Sequence, residues 1–433
     1  MKNLIPLILY YNRFNRYGFN SLLGALETDS YFDELPVFFV CRDSEWNNIK
    51  EIVEENDLTI VAFSFTTPQI FEIANIVTFL RKACGKKIFL IAGGPHPSGD
   101  PAGTLQMGFD AVFIGEGEKS FPLFLKAMNK GEDISGIRGV AFQGTTKFTK
   151  AEPVEINDYP PFSERWKLFG PIEITRGCPF GCSFCETPFL LNREYRHRSI
   201  ENIIYFSNIM KKNNLLAFRA ITPNALSYGS NKAGEIRLDL IENLLKELSK
   251  LYSSNLVEDA SIGIYFGSFP SEIRPEYITE EALWLIKKYC INRTIIIGAQ
   301  FGSTRMLNLY RRGHSVEDVK RAAKLILKAG FKAEVDFLFF APDETLQDVK
   351  DTVALIKELK KMGAYINTHS FLPLAGTPLY GKINNDSEYL KYLQSELEKL
   401  GYLYGNWKRQ YKISIRLADY FKNNKSITSL IQQ

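Results

Sequence analysis

Three of the six cysteines in this sequence, Cys178, Cys182 and Cys185, lie within eight residues. They follow a C-x3-C-x2-C pattern, and the surrounding residues predict a loop directly after a strand. Thiolates spaced in this way can ligate three corners of a cuboidal iron–sulfur cluster, whereas a structural zinc site needs a fourth ligand. The other three cysteines are distant in the sequence and are interpreted as inert thiols. Three protein ligands leave one iron open to a small ligand, which is a catalytic arrangement.

The chain before the cysteines alternates short apolar strands with helical stretches. This alternation predicts an α/β fold, a doubly wound, Rossmann-like domain over residues 1–150, with ligands beyond the carboxyl ends of the strands. Glycines after these strands, such as Gly93, Gly94 and Gly115, would let backbone approach a ligand closely, or would only form the turns. The predicted strands cover residues 4–11, 36–40, 59–65, 87–92 and 111–114.

A second series of strands and helices follows a proline-containing linker at residues 151–170. Six strand–helix units predict a partial (β/α)6, TIM-like barrel over residues 171–380, with its site at the carboxyl ends of the strands. The alternation then stops, and residues 381–433 predict a mainly helical segment. The predicted barrel strands cover residues 171–175, 215–221, 262–266, 294–299, 333–340 and 365–371.

The composition of the 433 residues is that of a globular protein, with 45% hydrophobic residues and a net charge of +4. No apolar run reaches the roughly 18 residues that span a bilayer, and no signal-peptide cleavage site follows the N-terminus. We therefore expect a cytoplasmic protein without membrane partners. Residues 401–433 carry six basic residues and one acidic residue, so the rest of the chain has a net charge of −1. We therefore expect no general nucleic-acid-binding surface. This tail either packs its aromatic residues on the main body or touches an RNA or an acidic protein.

The cysteine motif follows the first predicted barrel strand and has Phe184 immediately before its third cysteine. It resembles the motif of the radical S-adenosylmethionine superfamily. The resemblance implies that Cys178, Cys182 and Cys185 bind a 4Fe–4S cluster, with Phe184 beside the cofactor. It also implies that the open iron takes the amino and carboxylate groups of S-adenosylmethionine.

Downstream stretches of the sequence strengthen this resemblance. Residues 297–303 and the RGHS turn at 312–315 are similar to the fourth-strand region of the superfamily. This similarity implies that Gln300 and Ser303 contact the ribose or methionine of the cofactor, although Gln300 could instead cap the following helix. The stretch that ends in Glu344 is similar to the fifth-strand region and places this carboxylate at the cofactor.

The predicted N-terminal domain resembles the cobalamin-binding domain of the cobalamin-dependent branch of this superfamily. The GGPHP loop at 93–97 and the stretch at 108–118 are typical of that branch. Many cobalamin domains supply a lower histidine ligand to cobalt after the first strand, but Asn15 occupies the corresponding position. We therefore expect cobalamin without a lower histidine ligand. The resemblance implies cobalamin contacts from Asn15, Ser64, Thr66, Thr67, Gly93, Gly94, His96, Gly115 and Glu116.

The resemblance to this branch implies radical methylation of an unactivated sp3 carbon. Methyl would pass from one S-adenosylmethionine through methylcobalamin. A low-potential electron donor would reduce the cluster, which would then cleave a second S-adenosylmethionine. The resulting 5′-deoxyadenosyl radical would abstract a hydrogen from the substrate. A cobalamin-dependent radical cyclase, or a methyltransferase acting on a small molecule, shares these motifs. A methylthiotransferase would need three cysteines in the N-terminal domain, which has two, and an electron carrier would need four cluster ligands.

Residues 266–276 follow the third predicted barrel strand and have no evident role at either cofactor. An exposed loop carrying Phe269, Glu272 and Arg274 would suit a peptide or carboxylate substrate, or the segment would be a well-packed turn. It resembles archaeal, methanogen-type members of the branch, whose activities include C-methylation of a glutamine in the alpha subunit of methyl-coenzyme M reductase. The specific prediction is therefore Cα-methylation of that glutamine, a post-translational modification linked to methanogenesis.

Overall fold

The computed structural model describes residues 4–47, 49–252, 262–384, 386–401 and 403–423. The strands of its first domain are β1 (Leu7–Tyr10), β2 (Val37–Val40), β3 (Thr59–Ser64), β4 (Ile88–Gly93), β5 (Ala111–Phe113) and β6 (Val140–Phe142). They form one sheet in the order β2-β1-β3-β4-β5-β6, with β1 to β5 parallel and β6 antiparallel to β5. The five predicted strands are confirmed, and β6 is an addition that the sequence analysis missed.

Helices cover both faces of this sheet, because its central strands are apolar on both sides. Along β1, Ile8 packs into the hydrophobic cluster on one face, and Leu7 and Leu9 pack into the cluster on the other. This arrangement confirms the doubly wound α/β fold. The helices are α1 (Arg16–Leu26), α2 (Ile49–Glu54), α3 (Ile70–Cys84), α4 (Pro95–Gly99), α5 (Pro101–Gln106) and α6 (Ser120–Lys130).

The second domain is an open barrel built from two parallel sheets. Its strands are β7 (Ile172–Glu173), β8 (Thr175–Arg176), β9 (Arg196–His197), β10 (Ala217–Ile221), β11 (Gly263–Tyr265), β12 (Thr294–Gln300), β13 (Lys332–Phe339) and β14 (Tyr365–Ser370). One sheet has the order β11-β10-β7 and the other contains β12-β13-β14, while β8 and β9 form a separate antiparallel pair. The six predicted barrel strands are all present, and the partial barrel is confirmed.

The barrel helices shield the outer face of these strands. Two of them begin at capping boxes, where Ser315 pairs with Asp318 and Thr345 pairs with Asp348, so local sequence fixes where each helix starts. No helix within the described ranges is long and apolar enough to cross a bilayer. The helices are α7 (Thr187–Leu190), α8 (Ile200–Lys212), α9 (Leu238–Tyr252), α10 (Glu280–Tyr289), α11 (Thr304–Leu309), α12 (Val316–Lys328) and α13 (Leu346–Lys361).

The C-terminal segment contains α14 (Ser387–Lys399), the short strand β15 (Tyr404–Gly405) and α15 (Trp407–Asn423). The predicted helices are confirmed, but β15 adds a strand, parallel to β14, that the sequence analysis missed. The last helix packs on both domains: Trp407 joins the barrel core, and Leu417 joins a core of the first domain. The guanidinium of Arg416 lies 3.9 Å from the centre of the Phe71 ring. The tail as far as residue 423 therefore packs on the main body, the first of the two alternatives that the sequence left open.

Candidate active site

The three clustered cysteines lie in a loop between β8 and α7, and backbone contacts fix the shape of this loop. Gly177 has φ +83, and a Cβ there would lie 2.1 Å from the Glu194 carbonyl oxygen, so only glycine fits. The Cys178 amide donates to the Asn192 carbonyl at 3.1 Å, and the Cys185 amide donates to the Cys182 carbonyl at 3.1 Å. All three thiols are free of disulfides. The loop thus presents three thiols from one preformed backbone turn.

The chemistry of these thiols fits a cluster better than a single ion. Burial raises the pKa of Cys178 to about 11 and also raises the pKa of Cys185, so both thiols keep their protons at neutral pH until a metal displaces them. The middle thiol, Cys182, accepts hydrogen bonds from the side chains of Arg312 and Arg274. No three His, Cys, Asp or Glu side chains in the described residues are placed to hold one metal ion. A cuboidal cluster separates its thiolate ligands and suits this loop.

Phe184 belongs to the cysteine loop, and Gln300 shares the surroundings of Gly298 with Arg312, which contacts Cys182. The Phe184 ring packs 6.2 Å from the Tyr310 ring, and the Arg312 guanidinium lies 5.6 Å from its centre. Gln300 ends β12 with φ +67, a conformation that turns the chain out of the strand. Its amide nitrogen would lie 2.7 Å from a Cβ on Gly298, so a glycine makes room for this side chain.

Ser303 and Glu344, which were also predicted to contact the cofactor, are engaged by protein groups. The Ser303 hydroxyl donates to Asp348 at 2.5 Å and caps α11, so it is Ser303 and not Gln300 that starts this helix. Glu344 is 4% exposed and accepts hydrogen bonds from the Tyr389 hydroxyl at 2.7 Å and the Ala341 amide at 3.1 Å. Burial raises the pKa of Glu344 to about 8. Its second oxygen is buried without a partner among the described residues.

A cavity lies between the carboxyl ends of β3 to β5 and the start of the barrel. Five residues predicted to contact cobalamin line it: Ser64, Gly93, Gly94, Gly115 and Glu116. The barrel contributes Glu173, Arg176, Leu191 and Ile221 to the opposite wall. A Cβ on Gly94, which has φ +89, would lie 2.6 Å from the Ser64 hydroxyl. The glycines leave this wall open, and apolar side chains such as Phe63, Ile91 and Phe113 line it, which suits a large cofactor such as cobalamin.

The lining of this cavity, within the described residues, contains no histidine, cysteine or methionine that could ligate cobalt. Asn15, which occupies the position of the lower ligand in related domains, does not line the cavity. Its amide group donates to the carbonyls of Tyr10 at 2.7 Å and Ser64 at 3.0 Å. Asn15 therefore orders the loop after β1.

The remaining predicted cobalamin residues, Thr66, Thr67 and His96, lie outside the cavity. Thr66 begins a helical turn and bonds to Gln69. His96 Nδ1 lies 3.1 Å from the Thr67 hydroxyl, which also accepts a hydrogen bond from the Ala375 amide at 3.0 Å. Burial lowers the pKa of His96 to about 3, so the ring is neutral. These residues join the first domain to the segment after the last barrel strand.

A buried network of charged side chains crosses from the cavity into the barrel. Arg176 lies 2.9 Å from Glu116, 2.7 Å from Glu118 and 2.6 Å from Glu173. Arg196 also contacts Glu116, at 2.5 Å. Glu116, which was predicted to contact cobalamin, is thus held by two arginines. Arg176 was not predicted as a site residue, although its position two residues before Cys178 and beside a strand end indicated one.

Carboxyl groups inside the barrel form a second feature that the sequence analysis missed. Burial, with a smaller contribution from Glu272, raises the pKa of Asp336 to about 8. The Asn367 amide donates to Asp336 at 3.0 Å, and burial also raises the pKa of Glu272 and Glu334. Glu334 and Asp336 are two apart on β13 and so face the same side, which was the available signal. The raised pKa favours the protonated form of Asp336, which can donate a hydrogen bond.

Comparison with known proteins identifies both domains. Residues 172–356 match the family described as the radical SAM superfamily, and residues 10–125 match the B12 binding domain. The chain carries a radical SAM domain behind a B12-binding domain. Its fold resembles that of the radical S-adenosylmethionine methyltransferase TsrM from Kitasatospora setae, which was solved with cobalamin and a 4Fe–4S cluster. The TM-score is 0.64 at 17% identity, covering 87% of this chain and 77% of that one.

Two curated relatives are named methyltransferases. An uncharacterised methyltransferase of Pyrococcus horikoshii is 24% identical over 336 residues, and the match covers 74% of this chain and 68% of the relative. The bacteriochlorophyllide d C-8(2)-methyltransferase of Chlorobaculum tepidum is 25% identical over 338 residues, covering 74% of this chain and 65% of the relative. With the two domains, these relatives indicate a cobalamin-dependent radical SAM methyltransferase that uses a 4Fe–4S cluster, S-adenosylmethionine and cobalamin.

Proposed function

We propose that this chain methylates an unactivated sp3 carbon, with methyl passing from S-adenosylmethionine through cobalamin. The observation that carries the proposal is the shared wall between the two cofactor sites. Arg176 lines the cavity of the B12-binding domain and lies two residues before Cys178 of the cluster loop. When bound, cobalamin supplies the methyl group, and the cluster with S-adenosylmethionine supplies the radical. The residues of this chain hold the two sites side by side.

The chain's own residues position the cofactors and exclude water. The apolar lining of the cavity, which includes Phe63, Ile91 and Phe113, keeps water from the cobalamin side. The ion pairs of Arg176 connect this lining to the cysteine loop, so the distance between the two sites is set by buried contacts. A low-potential electron donor is a required partner, because the cluster must be reduced before it can act.

The specific substrate that we propose is a glutamine in the alpha subunit of methyl-coenzyme M reductase. The resemblance of residues 266–276 to methanogen-type enzymes supports this choice, and so does the polarity of the barrel interior. A protonated Asp336 beside the Asn367 amide suits a neutral amide group better than a charged one. Phe269 is 66% exposed and lines an open cavity together with Glu334, which offers room for a peptide.

The test is an anaerobic assay of the full chain with cobalamin, S-adenosylmethionine, a reductant and a peptide that contains the glutamine. We expect a mass gain of one methylene on the glutamine, together with 5′-deoxyadenosine. A peptide with alanine in place of the glutamine is the matched control and should gain no mass. Formation of 5′-deoxyadenosine without methylation of the peptide would refute this substrate and leave the reaction class standing. Absence of a bound cluster or of bound cobalamin would refute the class.

A small molecule is the second candidate substrate. The Chlorobaculum relative is named for methylation of a bacteriochlorophyllide, and the chain matches 65% of its length. The same assay, run with a tetrapyrrole in place of the peptide, separates the two candidates. Methylation of the tetrapyrrole but not of the peptide would favour this alternative.

A further inference from the structure

Two buried arginines contact the middle cysteine of the cluster loop. Arg312 Nη1 lies 3.4 Å from Cys182 Sγ, and Arg274 Nη1 lies 3.8 Å from the same sulfur. Each arginine is 7% exposed. Arg274 comes from residues 266–276, the segment interpreted from sequence as a substrate loop. Its guanidinium is buried and contacts the cysteine, so for this residue the well-packed turn, the second alternative that the sequence left open, is the one observed.

Contacts on the far side of each guanidinium hold it against the sulfur. Arg274 lies 2.5 Å from Glu276, stacks 3.5 Å from the centre of the Phe180 ring, and donates to the Arg312 carbonyl. Arg312 donates to the Gly298 carbonyl at 2.8 Å. A Cβ at Gly298 would lie 3.4 Å from Arg312 Nη2, so the glycine leaves space for the side chain. Neither guanidinium is therefore free to leave Cys182 without breaking other bonds.

The charge of this pair is only partly balanced by the protein. Glu276 neutralises Arg274. Arg312 forms no ion pair with a described carboxylate: the nearby Glu272 interacts with it electrostatically, but burial raises the pKa of that carboxyl group. The Nε atom of Arg312 is buried without a partner among the described residues. Burying an unpaired charge is costly, so a nearby negative group is needed to offset the cost. Cys182 as a thiolate ligand of a cluster is negatively charged and lies within hydrogen-bond reach of both arginines. A cluster in this loop would supply the missing counter-charge.

We infer that Arg274 and Arg312 donate hydrogen bonds to Cys182 as a cluster ligand and raise the reduction potential of the cluster. Reduction adds one electron from the low-potential donor and no proton, so the cluster becomes more negative by one charge. Buried cations beside its sulfur stabilise the reduced state more than the oxidised state. The inference rests on the proposed function, because that function places the cluster in this loop. The two arginines are positioning residues that act through Cys182.

The test is a redox titration of the reconstituted full chain without S-adenosylmethionine. The electron paramagnetic resonance signal of the reduced cluster monitors the titration. At the midpoint potential of the unsubstituted chain, we expect Arg312→Gln to lower the ratio of reduced to oxidised cluster at least tenfold. This change corresponds to a shift of about 59 mV for one electron. Arg274→Gln should lower the ratio in the same direction. Arg311→Gln, which removes the same charge from an exposed neighbour, is the control and should leave the ratio unchanged.

Equal ratios in Arg312→Gln, Arg274→Gln and the control, with equal iron content, would overturn the inference and leave the proposed function intact. An unchanged ratio combined with weaker S-adenosylmethionine binding would also overturn the inference, because Arg312 would then be a cofactor ligand. If Arg312→Gln loads no iron, Arg312→Lys is measured in its place. Lysine keeps the charge and can still donate to the sulfur, so the ratio should stay close to that of the unsubstituted chain, and a tenfold fall would overturn the inference. Failure of the unsubstituted chain to load a cluster would instead refute the proposed function.

Discussion

Arg176 is the residue whose replacement tests most directly how the two domains are held together. It extends from β8, beside the cysteine loop, to Glu116 and Glu118 of the first domain at 2.9 and 2.7 Å. Its side chain is 9% exposed, and those of the two glutamates are 4% and 7% exposed. The proposed perturbation is Arg176→Met, which keeps much of the side-chain volume and removes the charge and all five donors.

The expected cost follows from what the substitution leaves behind. Glu118 would keep one partner, the Ser21 hydroxyl at 3.2 Å, and would stay buried. Removing one member of a buried ion pair typically costs about 3–5 kcal/mol, and we expect the free energy of unfolding to fall by that amount near neutral pH. Burial raises the pKa of Glu118, but Arg176, together with smaller contributions from the backbone and Ser21, lowers it to below its usual value. The stability that this pair contributes is therefore present above the unfolded pKa of roughly 4.3 and is lost as pH falls further. The difference between the two proteins should shrink in acid.

Urea unfolding under anaerobic conditions measures this loss, with Arg138→Met as the control. Arg138 pairs with Glu152 at 3.1 Å, but these side chains are 61% and 56% exposed, so its replacement should cost at most about 1 kcal/mol. In the double variant Arg176→Met, Glu118→Met, the loss should be smaller than the sum of the single losses by roughly 0.5–3 kcal/mol. A loss in Arg176→Met no larger than that in Arg138→Met would refute the reasoning, as would full additivity of the two substitutions.

Three further changes probe the cofactor sites and a buried acid. Cys182→Ala should load less iron than the unsubstituted chain and form no 5′-deoxyadenosine. Cys290→Ala, its control, should keep the iron content and the product. Iron analysis and product chromatography measure these, and equal iron in the two variants would contradict the prediction. Gly94→Val should abolish cobalamin binding in a spectroscopic titration, because its Cβ would lie 2.6 Å from a serine hydroxyl in the cavity wall. Gly131→Val is its control, since that glycine also has positive φ (+66) but no atom within 4 Å of its Cβ position. Burial raises the pKa of Glu344 to about 8. The free energy of unfolding should therefore fall as pH rises from roughly 4.3 to 8, by up to about 1.4 kcal/mol per pH unit. Glu344→Gln should flatten that dependence in urea unfolding, and an unchanged slope would count against the raised pKa.

The parts of the fold that the sequence predicted are those with a strong local pattern. The strands β1, β3 and β4 are apolar runs buried on both faces, and the capping boxes of α12 and α13 mark where those helices begin. The strands β6 and β15, of three and two residues, were missed. Their pairing with β5 and β14 is set by tertiary packing.

The same distinction applies to the candidate site. The cysteine spacing is local, and it predicted a loop with three thiols that the structure contains. Arg274 lies 92 residues from Cys182 in sequence, so its contact with the sulfur depends on the packing of the barrel and left no local signal. Ser303 and Glu344 carry chemistry that could serve a cofactor, but the structure bonds them to a helix start and to a buried tyrosine. Residue type alone does not separate these uses, because the same groups satisfy helix caps and buried partners.

The cysteine loop is held by charged side chains at its start and at its middle, which links its position to both domains. On one side, Arg176 ties the start of the loop to carboxylates in the wall of the cobalamin cavity. On the other side, Arg274 and Arg312 reach the middle of the loop from two later barrel segments. A shift of the first domain would therefore move Arg176, and with it the backbone that begins at Gly177 and carries the thiols. Because coupling between sites is reciprocal, any factor by which cobalamin changes the affinity of the loop for its cluster should equal the factor by which the cluster changes the affinity for cobalamin.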